Sequence, residues 1–130
     1  MIASLGLLMT ALLFGGMVLY SFGFAAFLFS VLPVPIAGPT LRRAFPHFYL
    51  FVLITSAIAA ALLWPHDSLA AMLLATIALT TLPARQMLMP AINNATDAGA
   101  KSRFKVLHSL SVVISLSHIV VSGFVLTRFA

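Results

Sequence analysis

Residues 105–128 read KVLHSLSVVISLSHIVVSGFVLTR, and no charged side chain lies between Lys105 and Arg128. At ~1.5 Å per residue this uncharged run extends about 33 Å, enough to cross a hydrocarbon core of ~30 Å. It is a membrane span with a basic residue at each end. The whole chain agrees with that reading. Its 130 residues are 62% hydrophobic and 7% charged, with seven Lys/Arg against two Asp/Glu. A soluble domain carries roughly a quarter charged residues. So little charge cannot cover a water-facing surface, which excludes a soluble globular domain and a disordered chain alike.

Working backward, three more apolar runs appear. Residues 69–89 form a third span, entered through Pro65-His66-Asp67-Ser68, where Asp67 or Ser68 is the expected N-cap. Pro83 should kink its last third. Residues 46–64 form the second span, with Pro46 as first helical residue because its missing N–H costs nothing there. Residues 2–32 form the first, stopped by Pro33, Pro35, Gly38 and Pro39. At about 46 Å it must tilt or protrude. No basic residue precedes it, so a span is expected here rather than a secretory leader. The expected fold is all-α: one membrane domain, residues 1–130, folded as a four-helix bundle with spans at about 2–32, 46–64, 69–89 and 104–128.

Four spans put both termini on one side. The connections 33–45 and 90–105, with the end of span three, hold Arg42, Arg43, Arg85, Lys101, Arg103 and Lys105. Basic flanks stay cytoplasmic. Both connections are therefore expected as cytoplasmic loops and both termini on the non-cytoplasmic side, in a bacterial inner membrane. Phe45, Phe48, Tyr49 and Phe104 would belt the cytoplasmic interface, with Trp64 and Phe129 at the other. The basic side chains adjoin apolar spans, so their partners are anionic headgroups of the lipid bilayer and not nucleic acid.

Chemistry-bearing side chains are few. There is no cysteine, hence no disulfide, thiolate metal site or cysteine nucleophile. Two aspartates outside the spans leave no carboxylate pair for hydrolysis. What remains is histidine. His108, Ser111, Ser115, His118 and Ser122 recur at three- and four-residue spacing, a single stripe about 80° wide on a helix. Lipid disfavours such a stripe, so it should face other helices. Its serines are read as packing residues bonded to their own helix. His47 and His108 lie just inside spans of the same direction, at similar depth near the cytoplasmic edge. His118 lies ~15 Å deeper. Two imidazoles at one depth suit axial ligation of a b-type haem, with His118 as substitute ligand and Arg85 on a propionate. They equally suit a copper or zinc ion. Plain structural roles also stand: His47 on headgroups, His108 capping or bridging to Asn93 or Asn94, His118 bonded to a neighbouring helix, His66 solvated. Gly15, Gly16 and Gly23 are read as a face for close helix approach. Phe22, Phe24, Phe27 and Phe29 are read as lipid-facing or core, not a cofactor box.

Four stretches carry a resemblance: FGGMVLYSFGFAAFLFSVLP, AGPTLRRAFPHFYLF, LMPAINNATDAG and RFKVLHSLSVVIS. They resemble the transmembrane-protein-205-like family of small membrane proteins, with family features falling on Gly15, Gly16, Pro46, Tyr49, Pro90, Asn93, His108 and Ser111. The resemblance implies a four-helix membrane domain and no established reaction. His47 stands where that family more often has Arg or Lys. The layout is also similar, in architecture only, to copper-resistance-D-like membrane proteins, some of which hold haem.

Three functions follow from these residues. The first is binding of haem b or a metal ion through His47, His108 and His118 in membrane electron transfer or quinone-linked oxidation. The second is a non-catalytic accessory subunit packed against other membrane subunits or copies of itself. The third is a small oligomeric transporter whose path is the polar stripe.

Overall fold

The computed structural model describes residues 1–130. Four helices are long and apolar enough to cross a membrane: α1 (Ile2–Val31), α2 (Val34–Leu63), α3 (Ser68–Asp97) and α4 (Lys101–Thr127). Each break has a local cause. Leu32 is extended (φ −109°, ψ 146°) ahead of Pro33, as a residue before proline prefers. Asp67 caps α3, its Oδ1 accepting from the Ala70 N–H at 3.0 Å. The α3–α4 turn is a Schellman closure: Gly99 takes φ +66°, and the N–H groups of Gly99 and Ala100 donate to the carbonyls of Thr96 and Ala95.

The connections are shorter than expected. Most of 33–45 belongs to α2, which starts at Val34 rather than 46. Helix α3 runs to Asp97, past the expected end at 89, and α4 starts at Lys101. Pro39 and Pro46 lie inside α2 and do not end it. Each lacks the N–H that the carbonyl four residues earlier would take, Pro35 for Pro39 and Arg42 for Pro46. Neighbouring helices grip α2 around this stretch: the Tyr20 hydroxyl donates to the Ala44 carbonyl at 2.8 Å. The Arg85 Nε–H donates to the Pro46 carbonyl at 3.3 Å. Pro83 acts as expected: five residues of wider π-type turn, Ala84–Leu88, follow it. A second π-type segment, Leu19–Phe24, interrupts α1.

Helix α1 packs on α2 and α4, and α3 packs on α2 and α4. The four therefore stand in ring order, with α2 and α4 on one diagonal. Leu13, Met17, Val52, Leu63, Leu74, Ile77 and Val125 fill the centre. Ala59, Ala60, Ala70 and Ala71 let α2 and α3 approach closely. Large apolar side chains such as Leu8, Leu19, Leu79 and Val120 cover the outside, as a lipid solvent requires.

Both acids are used at the bundle's ends. Arg128 pairs with Asp67 at 2.7 Å where α4 finishes and α3 begins. Arg42 pairs with Asp97 at 2.6 Å, tying α2 to the end of α3. The start of α1 lies against Leu62 and Leu63, so both termini share the Asp67 end.

Candidate functional site

A groove of about 680 Å³ lies between α1 and α2. Ligand pockets commonly span ~300–1,000 Å³. From α1 it takes Leu12, Gly16, Leu19, Tyr20, Gly23, Phe24 and Phe27. From α2 it takes His47, Phe48 and Phe51. The α1 residues recur every three or four positions, so they form one stripe, and fifteen residues of rise make the groove about 22 Å long.

Two sequence features open it. Gly16 has no side chain to fill the space, and the Phe51 ring lies where its Cβ would sit, 2.6 Å away. Gly23 stands inside the π-type segment, where the wider turn displaces the following side chains from an unbroken helical register. The aromatic wall is ordered by stacking. Tyr20 lies nearly parallel to Phe48, with centroids 4.8 Å apart, and tilts against Phe24 at 4.9 Å. The Tyr20 hydroxyl is held by the Ala44 carbonyl, which fixes that ring at the groove's polar end.

His47 is the one basic side chain lining the groove. It sits between Pro46 and Phe48, exposed on the bundle surface. Arg43 lies one helical turn before it on the same face and makes no ion pair, since Arg42 has taken Asp97. The groove thus has a head end, with an imidazole and a nearby guanidinium, and an apolar tail running to Leu12.

The other expected site residues fall elsewhere. His108 is exposed on α4 and stacks on Phe104, centroids 5.4 Å apart and planes within 8°. Neither of the two principal cavities holds both His47 and His108. Their helices stand on a diagonal of the bundle, with α1 and α3 packed between them. His118 is buried, and its Nε2 lies 2.7 Å from Thr80 Oγ1. Arg85 is half-buried on the Pro46 carbonyl. The polar stripe of α4 splits. His118 and Ser122 are buried, whereas His108 is on the surface and Ser111 donates to the carbonyl of His108. No three His or Asp side chains are grouped to hold a metal ion.

At the Asp67 end, the Arg128 guanidinium and then the Ala70 N–H hold the Asp67 carboxyl below the usual carboxylate range, and the same contact raises Arg128.

A family model describing a domain of unknown function, DUF4149, matches residues 8–101. The chain belongs to the DUF4149 family. The match fits the small membrane domain of unknown function that the resemblance implied. It does not extend to that resemblance's family name, or to the copper-resistance-D-like proteins. No curated protein and no solved structure matches the chain. The DUF4149 match takes in α1 from residue 8 onward and all of α2 and α3, so every residue lining the α1–α2 groove lies within it.

The sequence pointed Phe24 and Phe27 to lipid or core and Phe48 to the interfacial belt, and it singled out neither Tyr20 nor Phe51. A signal was present. Gly16, Tyr20, Gly23 and Phe27 alternate small and aromatic residues at helical spacing on α1. What the sequence lacked was the facing register of α2.

Proposed function

We propose that this DUF4149 protein is a membrane-embedded binding protein for a lipid-soluble ring compound of the quinone class. The ring is taken between α1 and α2 and serves membrane electron transfer. The observation that carries the proposal is the elongated aromatic groove with one imidazole at its head. A flat ring stacks on Phe and Tyr faces. An imidazole N–H donates to a ring carbonyl, and the imidazole exchanges a proton there when a separate membrane reductase supplies the electrons. A long apolar tail follows the groove toward Leu12 and leaves it for lipid.

Haem b ligated by both His47 and His108 has less support, because the two imidazoles stand on opposed helices and share neither principal cavity. Accessory packing against another subunit would use the outer faces of α1 and α4. A transport path would run through the polar stripe, whose first member, His108, lies on the surface.

The test is titration of a short-tailed benzoquinone into the protein in lipid nanodiscs, followed by calorimetry. Saturable one-to-one binding is expected. Gly23→Phe should abolish it by filling the groove, and His47→Leu should weaken it about tenfold, the worth of one hydrogen bond. Identical partitioning into both variants and into empty nanodiscs would overturn the proposal. A Soret band removed by His47→Ala and kept by His108→Ala would replace the quinone with haem held by His47 alone.

A further inference from the structure

A second cavity, of about 240 Å³, lies between α3 and α4 near mid-membrane. Leu73, Ile77, Val113, Ile114 and Val121 make its walls, and its polar atoms come from Thr76, Thr80, Ser117 and His118. His118 is thirteen residues from Lys105 and ten from Arg128, ~20 Å and ~15 Å along α4. No part of the α1–α2 groove enters this cavity.

The hydrogen-bond inventory decides what fits. The Thr76 hydroxyl donates to the Met72 carbonyl at 2.8 Å, and Ser117 donates to Val113 at 2.7 Å. Thr80 donates to the Thr76 carbonyl at 2.7 Å. Each hydroxyl has one proton, and each proton is spent on its own helix. The Thr80 oxygen is then an acceptor, so at 2.7 Å the Nε2–H of His118 donates to it. That tautomer leaves His118 Nδ1 as a bare acceptor. His118 is 8% exposed, and Nδ1, which no protein group bonds, is not sealed off from the cavity's opening. The polar atoms of the cavity are therefore all acceptors. Both carboxylates lie at the ends of the bundle, each paired with arginine. Nothing in the cavity would compensate a cationic ligand, and a charge at this depth is costly.

We propose that the α3–α4 cavity is a separate binding site for an uncharged, apolar molecule that donates one hydrogen bond, a phenol or an alcohol, with His118 Nδ1 as its acceptor. The volume suits a single ring with a short alkyl group. The ligand enters sideways from lipid between Val113 and Leu73.

The test uses the full chain in nanodiscs with ¹⁵N-labelled histidine, and two probes: 4-pentylphenol and 4-pentylanisole. They share shape and differ in the donor. The free protein should show His118 as the Nε2–H tautomer. The phenol should move the Nδ1 resonance and bind about tenfold tighter than the anisole. Ser117→Leu, which fills the cavity without touching the imidazole, should remove the phenol response. Thr80→Val should leave a bound phenol but change the free-state tautomer. Equal affinity for the two probes, or a His118 resonance that the phenol does not move, would overturn the site. Quinone binding at His47 is read by the His47 resonance, so failure of one site leaves the other standing.

Discussion

Three glycines of α1 test the packing with one substitution. An alanine Cβ at Gly6 would lie 2.6 Å from Leu63 Cδ2, 2.7 Å from Leu63 Cγ and 3.3 Å from Leu62 Cβ. Leu63 is wholly buried, so it has no free space to turn into. At Gly16 the Cβ would meet Cε1 and Cζ of Phe51 at 2.6 Å, but that ring borders the groove and can swing into it. At Gly15 nothing lies within 4 Å. Overpacking costs ~1–3 kcal/mol, and replacing a helix-interior glycine with alanine returns up to ~1 kcal/mol. Gly6→Ala should therefore destabilise by about 1–2 kcal/mol. Gly15→Ala should be neutral or stabilising by up to about 1 kcal/mol. Gly16→Ala should cost little stability and instead narrow the groove. The assay is reversible unfolding in mixed micelles for all three, with quinone titration of Gly16→Ala. If Gly6→Ala and Gly15→Ala unfold alike, the α1–α2 contact is not as described. If Gly16→Ala binds quinone like the parent, Phe51 does not border the ligand.

Thr80→Val removes the partner of a buried imidazole and should cost about 1 kcal/mol, within the range of hydrogen bonds between membrane helices; the same micelle unfolding assay measures it. Asp67 has a depressed carboxyl pKa, so its contribution is present above pH ~4 and is lost as pH falls through the lower folded value. Amide exchange at the end of α4 should rise across that acid range, and Asp67→Asn should abolish the dependence. Asp97→Asn frees Arg42 from an exposed pair and should leave the unfolding midpoint unchanged, because surface pairs contribute little.

The four spans were legible because lipid imposes a plain rule: each must be about twenty residues and nearly uncharged. The cap at Asp67 was equally legible, since a carboxylate followed by an apolar run has few other uses. The proline-rich connection misled. Pro39 and Pro46 punctuate a soluble chain, but here the helix continues through both, packed between α1 and α3. No local pattern announces support that comes from another helix. His118 was legible as a buried polar residue, and its partner was not. The depth match of His47 and His108 concerned position along the helix axes alone. It carried no information about which helices adjoin, and ring order puts these two on a diagonal.

The pairing of the two aspartates fixes where unbalanced charge resides. Arg128 is neutralised at the Asp67 end, and Arg42 is neutralised by Asp97. Arg43, Arg85, Lys101, Arg103 and Lys105 keep their charge, all toward the opposite end. In an energised membrane the molecule is thus an electrical dipole. Moving one charge across 100 mV is worth ~2.3 kcal/mol, so inverting these five would take about 11 kcal/mol for every 100 mV. In a bilayer that carries a potential, the orientation with the basic end on the negative side is the favoured one, by an amount that grows with the voltage.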